Sequence, residues 1–149
     1  MNTNSFNIRV YGLLMNASNE VLVTDEYRLG MYMTKFPGGG LEFGEGTIDC
    51  LKREFKEELD LSIDVLAHFY TTDYFQETVS FQNMQLISIY YSVTSQHINK
   101  IKTTQQVNDI PPIDGSQAFR WVAIQQLKPD DFTFPIDQKV VELLQKRTT

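Results

Sequence analysis

The sequence has little of the chemistry that marks secreted, membrane-spanning or nucleic-acid-binding proteins. Cys50 is its single cysteine, so no disulfide can form within the chain, which is consistent with a reducing, cytoplasmic setting. The longest apolar-rich stretch, residues 86–93, is too short to span a bilayer, and residues 1–9 lack the pattern of a signal peptide. The net charge of −6 argues against nucleic acid or an anionic membrane as the main partner.

What the chain does contain is enough apolar sequence for one ordinary globular domain. Hydrophobic residues make up 42% of its 149 residues and charged residues 21%, a typical globular balance. A chain of this length buries roughly 68–70% of the surface that its unfolded form exposes, so it needs no disulfide or metal to fold. We expect a single domain over residues 1–149.

The distribution of apolar and turn residues predicts a fold with both strands and helices. Strands are expected over residues 6–15, 20–25, 62–75, 79–94 and 119–124. Residues 16–19 have turn chemistry, so the first two strands are expected to form a hairpin. A glycine loop at 37–40 precedes a helix over 47–59, a long polar loop covers 96–117, and a second helix covers 137–145. This order predicts an α/β sandwich.

The helix over 47–59 has one apolar face and one acidic face. Apolar residues recur at helical spacing and are expected to face the core, with Cys50 on the acidic side; they are Ile48, Leu51, Phe55 and Leu59. Glu54, Glu57 and Glu58 neighbour one another on the helix surface. Like charges at these spacings destabilise a helix by roughly 0.2–0.5 kcal/mol per pair, so they are either solvated or bound to a cation. Carboxylates are hard oxygen ligands that suit Mg²⁺ or Mn²⁺.

Residues 39–61 resemble the Nudix box, Gly-x5-Glu-x7-Arg-Glu-U-x-Glu-Glu-x-Gly-U, where U is aliphatic or bulky apolar. The matching residues are Gly39, Glu45, Arg53, Glu54, Phe55, Glu57, Glu58 and Leu61. Asp60 departs from the pattern, because the family has its last glycine there, usually in a left-handed conformation that ends the helix. Aspartate tolerates this conformation better than most residues, so the departure bears on local stability more than on catalysis.

The resemblance implies a fold, a reaction and a cofactor. The fold would be a Nudix-like α/β/α sandwich with a mixed sheet that includes antiparallel strands. The enzyme would cleave a pyrophosphate bond in a nucleoside-diphosphate-linked small molecule, nucleoside triphosphates included, with water activated at Mg²⁺ or Mn²⁺. Glu57, Glu58 and the carbonyl of Gly38 would hold the metal, and Glu54 would be a ligand or the base that activates water.

The resemblance also assigns roles to the residues around these ligands. Arg53 would act in catalysis with Glu54 and Glu57 by holding a glutamate in place through a charge-assisted bond. Glu45 would join this network at the start of the helix, where negative charge is favoured, and Gly39 would be structural.

Many Nudix relatives use a further carboxylate just before the strand that contains tryptophan. Here Ala118 precedes Phe119-Arg120-Trp121 and cannot serve. Asp114 is the preferred candidate, followed by Asp109 and Glu77, although an exposed aspartate that starts a turn is the plainer interpretation.

Two other functions compete with hydrolysis. The first is a catalytically inactive Nudix-like domain that binds a nucleotide as a sensor, which the intact glutamates disfavour. The second is an acidic scaffold protein, for which the box would be a coincidence. ADP-ribose-cleaving relatives often have a proline shortly after the box, but this chain has none between Leu61 and Ile110. It also lacks the Ser-Gln-Pro-Trp-Pro-Phe-Pro type of signature that NADH-cleaving relatives have. A nucleoside triphosphate or a small nucleotide conjugate is therefore favoured, and monomer and homodimer both stay open.

Overall fold

The structure, a computed structural model, describes residues 4–78 and 83–147, which contain seven strands and two α-helices. The strands are β1 (Ser5–Leu14), β2 (Glu20–Arg28), β3 (Met31–Lys35), β4 (Gly38–Gly40), β5 (Asp64–Thr71), β6 (Met84–Thr94) and β7 (Gln117–Ala123). The helices are α1 (Thr47–Leu59) and α2 (Pro135–Arg147). Neither helix in these ranges is long and apolar enough to cross a membrane.

The strands form two sheets. The first is mixed, with four strands in the order β4-β1-β6-β5, and β1 runs parallel to β6. The second is antiparallel, with three strands in the order β3-β2-β7. The predicted α/β fold with a mixed sheet is confirmed. The long loop after β6 also forms as predicted, with one 3₁₀ turn at Ile98–Lys100. Residues 79–82, the start of the strand predicted over 79–94, lie outside the described ranges.

The predicted hairpin between the first two strands is wrong. The turn itself forms, because Asn16 N donates to Glu20 O over 3.0 Å and Met15 bridges Val21. Beyond that bridge the strands separate, since β1 pairs with β4 and β6 while β2 pairs with β3 and β7. The last five residues of β1 and six of the nine in β2 are buried. Both β1 and β2 are therefore interior strands, each with a partner on either side in its own sheet. Neither has an edge left to form a hairpin with the other.

Strands β3 and β4 were not predicted, and β4 is the expected glycine loop. Gly38–Gly40 pairs antiparallel with Arg9–Tyr11 of β1. Gly38 has a φ of 152°, and a Cβ at this position would overlap the carbonyl oxygen of Val10. Glycine is therefore required where β4 lies against β1, and this strand places the box next to the centre of the mixed sheet.

Helix α1 has the predicted bounds but a different buried face. Leu51 and Phe55 are buried as expected, whereas Ile48 is 44% exposed and Cys50, predicted on the acidic side, is fully buried. The reason is that β4 packs against the Cys50 side of the helix, where Cys50 Sγ lies 3.5 Å from the carbonyl oxygen of Gly40. A strand of three glycines lets the helix approach closely at that side.

Helix α2 covers the opposite face of the mixed sheet. It is two residues longer at each end than predicted, and its Val140, Val141 and Leu144 are buried. They belong to a core cluster with Leu13 and Tyr90 of the mixed sheet. The first turn of α2 lines a cleft with its Ile136 and Asp137.

Candidate active site

A cleft of about 380 Å³ lies where the mixed sheet, the β2–β3 strands, α1 and the start of α2 meet. Its ionisable lining is divided between two signs. The carboxylates that line it are Glu26, Glu54, Glu58, Asp114 and Asp137, and the cations are Arg9, Arg28 and Lys35. The three glycines of β4 complete the edge nearest to α1. Such a lining suits an anionic ligand that arrives with or meets a cation.

Arg53 is the hub of the network on α1. Its Nε and Nη2 donate to the two carboxylate oxygens of Glu45 over 2.9 and 2.7 Å. Its Nη1 donates to Glu54 over 2.9 Å and to Glu57 over 3.3 Å, and Nη2 also reaches the Gly40 carbonyl over 3.0 Å. The hydrogen bonds from Arg53 lower the pKa of Glu45 to about 2. The predicted box residues are thus joined by charge-assisted bonds that fix their side chains.

Glu45 also organises the turn that leads into α1. Its Oε1 accepts from the backbone N–H of Glu42 over 2.9 Å. Helix α1 begins after Gly46 without a side-chain cap, so Glu45 and Arg53 supply the fixed contacts at this end.

Gly39 allows the close approach of Glu54 to the sheet. A Cβ at Gly39 would overlap the carboxylate group of Glu54. The Glu54 side chain is only 13% exposed, held between this glycine and Arg53. The structural role predicted for Gly39 therefore has a specific cause: any side chain there would displace the Glu54 carboxylate.

Glu58 is the most perturbed carboxylate of α1. Burial raises its pKa to about 7, and the carboxylates of Glu26 and Glu54 add to this effect. Lys35 and a hydrogen bond from Gln117 Nε2 over 3.3 Å oppose it only in part. Glu58 is therefore a desolvated carboxylate that lacks a strong cationic partner.

Glu57 is placed differently from the other two glutamates of the box. Its side chain is 58% exposed, contacts Arg53, and does not line the cleft. Of the predicted metal ligands, the structure brings together Gly38, Glu54, Glu58 and Asp114 at the cleft, and it leaves Glu57 at the outer side of Arg53.

The candidates for a further carboxylate separate clearly. Asp114 lines the cleft, where its Oδ1 accepts from Leu29 N over 3.2 Å, whereas Asp109 and Glu77 do not line it. Glu26, which is 2% exposed in β2, was not predicted as a site residue. The available signal was the run Thr24-Asp25-Glu26, three consecutive polar residues that directly follow the apolar Val21-Leu22-Val23 and are all buried.

Glu26 forms a buried ion pair with Lys35. Glu26 Oε2 lies 2.9 Å from Lys35 Nζ, although this oxygen has no partner with hydrogen-bond geometry among the described residues. We regard the contact as an ion pair, because Coulomb attraction depends on distance far more than on angle.

Asp137 and Tyr90 form a second buried polar pair in the cleft. The Tyr90 hydroxyl donates to Asp137 Oδ1 over 2.5 Å, and both side chains are at most 2% exposed. Burial raises the pKa of Asp137 to about 7 and raises that of Tyr90 as well. From the sequence, Asp137 was predicted only as the first residue of a helix.

The donor set fits a hard divalent cation in chemistry, though not as a preassembled cage. Within residues 4–78 and 83–147, no three His, Cys, Asp or Glu side chains are close enough together to hold an ion as they stand. Glu54 and Glu58 nevertheless bring carboxylate oxygens to the same cleft, the ligand type that Mg²⁺ and Mn²⁺ prefer. A cation there would pair with the partly buried carboxylate of Glu58, which takes part in no ion pair among the described residues.

Comparisons with known proteins agree with the geometry. A family model described as the NUDIX domain matches residues 5–144. A NUDIX hydrolase from Nitrosomonas europaea is similar in structure, with 18% identity and a TM-score of 0.71 over 95% of this chain and 90% of that chain. A MutT protein from Methanosarcina mazei Go1 has 17% identity and a TM-score of 0.67 over 100% and 99% of the two chains. A UDP-X diphosphatase has 13% identity and a TM-score of 0.62 over 98% and 66%. A comparison with curated proteins finds no match.

Proposed function

Because this chain belongs to the Nudix hydrolase family, we propose that it is a pyrophosphohydrolase that cleaves a phosphoanhydride bond in a nucleoside-diphosphate-linked small molecule. Nucleoside triphosphates are included in this substrate class. The observation that carries the proposal is the joint placement of Glu54 and Glu58 at one cleft, with Glu54 held by Arg53. The structural likeness to a UDP-X diphosphatase supports a nucleotide-linked diphosphate as substrate.

The cofactor in this proposal is Mg²⁺ or Mn²⁺. Glu54, Glu58 and the carbonyl of Gly38 would hold it, with Glu57 joining from the outer side of Arg53. When bound, the cation stabilises negative charge on the phosphate oxygens and lowers the pKa of water. Asp114 is the proposed further ligand, since it lines the same cleft and its bond to Leu29 uses only Oδ1.

The protein's own contribution is to orient the base. Arg53 binds Oε1 of Glu54, which leaves Oε2 to accept the proton of the attacking water. The Glu54 carboxylate packs so closely on Gly39 that even a Cβ there would overlap it. This contact keeps Glu54 in one orientation relative to the cleft. A base held in this way acts without reorganising during the reaction.

Glu58→Gln tests the proposal, with Glu142→Gln on the exposed surface of α2 as the matched control. The rate of phosphate or pyrophosphate release from a panel of nucleotides should fall on the order of 10²–10³-fold in Glu58→Gln, because a neutral amide is a poorer ligand for a cation. Chelator should abolish turnover of the parent, and Mg²⁺ should restore it and raise the melting temperature.

Two results would contradict the hydrolase. Equal turnover in the parent and Glu58→Gln would mean that this carboxylate has no part in the chemistry. Mg²⁺-dependent nucleotide binding without release of phosphate would favour the alternative of an inactive nucleotide-binding domain. A cytoplasmic location, a single domain over residues 1–149, a homodimer and the lack of a nucleic-acid partner stay predictions.

A further inference from the structure

Arg9 is a cation that lies in the cleft without a carboxylate partner. Its Nε donates to the Tyr11 hydroxyl over 2.7 Å, and within the described ranges its guanidinium takes part in no ion pair. The other partly enclosed cation of the cleft behaves differently, because Lys35 pairs with Glu26 at 2.9 Å. A side chain that keeps its charge in a partly buried place without a counterion is expected to have an anionic ligand.

Arg9 lines the same cleft as the α1 carboxylates Glu54 and Glu58. Its Nη1 lies 3.7 Å from the place where a Cβ of Gly40 would be, whereas a Cβ of the preceding Gly39 would meet Glu54. Successive residues of a strand point to opposite faces, so Arg9 and Glu54 contact β4 from its two faces, and both side chains line the same cleft. The pKa of Arg9 is raised mainly by Tyr11 and further by the carboxylates of Glu54 and Glu26, which line the same cleft.

The contact with Tyr11 fixes the guanidinium and leaves its Nη groups for a ligand. Tyr11 is 6% exposed and its ring stacks on Tyr90 at a centroid distance of 5.2 Å, so the hydroxyl is held by the core. A guanidinium stays charged at all physiological pH values and presents paired N–H groups that match two phosphate oxygens. Preorganisation of this kind strengthens binding, because little side-chain freedom is lost when the ligand arrives.

We propose that Arg9, positioned by Tyr11, binds the phosphate group next to the one that is attacked. The inference rests on the proposed hydrolysis. The carboxylates of α1 would hold the cation at the attacked phosphate, and Arg9 would bind the neighbouring phosphate. Arg9 is the binding residue in this arrangement, and Tyr11 is a positioning residue.

The test measures binding of imidodiphosphate, a diphosphate analogue whose P–N–P bridge resists hydrolysis, by calorimetry with Mg²⁺ present. Arg9→Gln should weaken binding by about 10–100-fold, the range expected for loss of a charge-assisted hydrogen bond. Lys52→Gln, which removes the same charge from the exposed surface of α1, should bind as the parent does. Inorganic phosphate should bind the parent much more weakly than imidodiphosphate does.

A double-mutant cycle separates positioning from a merely structural effect. Tyr11→Phe should weaken imidodiphosphate binding several-fold in the parent and should have no further effect when Arg9 is already glutamine. If either variant does not fold, as judged by circular dichroism, the other decides. If Arg9→Gln or Tyr11→Phe folds and binds imidodiphosphate with the parent's affinity, the proposal is overturned.

The outcomes also distinguish this inference from the hydrolase proposal. If the parent releases phosphate from nucleotides but Arg9→Gln binds imidodiphosphate as the parent does, only the Arg9 inference fails. If no nucleotide is hydrolysed while imidodiphosphate binding depends on Arg9, hydrolysis fails as the function and the anion site stands.

Discussion

Replacing Asp137 by asparagine should change how the stability of the protein depends on pH. Asp137 is 2% exposed and accepts a hydrogen bond from Tyr90, an arrangement that asparagine can keep through its own Oδ1. Burial raises the pKa of the Asp137 carboxyl from 3.8 to about 7 in the folded protein. The native state therefore binds a proton that the unfolded chain has released at any pH between these values.

The sign and the size of the effect follow from proton linkage. Between pH of about 4 and about 7 the folded protein holds a proton on Asp137 that the unfolded chain has lost. The free energy of unfolding therefore falls as pH rises through this interval and levels off above it. At about 1.36 kcal/mol per pKa unit, a shift of about three units corresponds to on the order of 4 kcal/mol. About 3 kcal/mol of this should appear between pH 5 and pH 8, because the lowest part of the window lies below pH 5.

Urea unfolding at pH 5 and pH 8 provides the measurement. The free energy of unfolding of the parent should fall over this interval by about 3 kcal/mol more than that of Asp137→Asn. Other groups with raised pKa values, such as Glu58, contribute to both proteins and cancel in the comparison. Asp131→Asn, which changes an exposed acid four residues before the start of α2, should follow the parent. A parent-to-variant difference that is the same at both pH values would refute the reasoning, because Asp137 would then be ionised throughout.

Two further predictions concern backbone positions of the box. Gly39→Ala should lower turnover by at least 10-fold, since its Cβ would displace the Glu54 carboxylate. Gly46→Ala should keep full activity in the same assay, because its Cβ would make only an ordinary contact, 3.9 Å from Asp49 Oδ2. Asp60→Gly should raise the melting temperature slightly and leave turnover nearly unchanged, because Asp60 has a φ of 49° and its exposed pairing with Lys56 is worth little. A lower melting temperature or a large loss of turnover would show that Asp60 does more than end the helix.

The features that sequence predicted well are determined by neighbours along the chain. Helix α1 begins and ends where predicted because its apolar spacing, the glycines before it and Asp60 after it act within a few residues. The left-handed conformation expected at Asp60 is present for the same reason. The long loop after β6 is also a local property, since most of its residues are polar and only a few, such as Ile98 and Ile101, pack against the core.

The features that sequence missed depend on which strands pair. The turn at residues 16–19 gives no information about the partners on the far edges of β1 and β2, so a hairpin was the nearest interpretation. Once β1 lies beside β6 and β4, Arg9 comes next to the glycine strand, and the antiparallel pairing of β2 with β3 brings Glu26 to Lys35. Asp137 reaches the cleft only because α2 packs on that sheet face. The residues of the cleft that lie outside the box are therefore a consequence of topology.

The separation of Glu57 from Glu58, by contrast, was already contained in helix geometry. At about 100° per residue, Glu58 is rotated about 40° from Glu54, while Glu57 is rotated about 60° in the opposite direction. Arg53 precedes Glu57 by four residues and so lies within about 40° of it. The acidic surface of α1 therefore consists of two adjacent stripes, a Glu54–Glu58 stripe that lines the cleft and an Arg53–Glu57 stripe beside it. Arg53 reaches across from the second stripe to Glu54, so the arginine that neutralises the exposed carboxylate also orients the buried one.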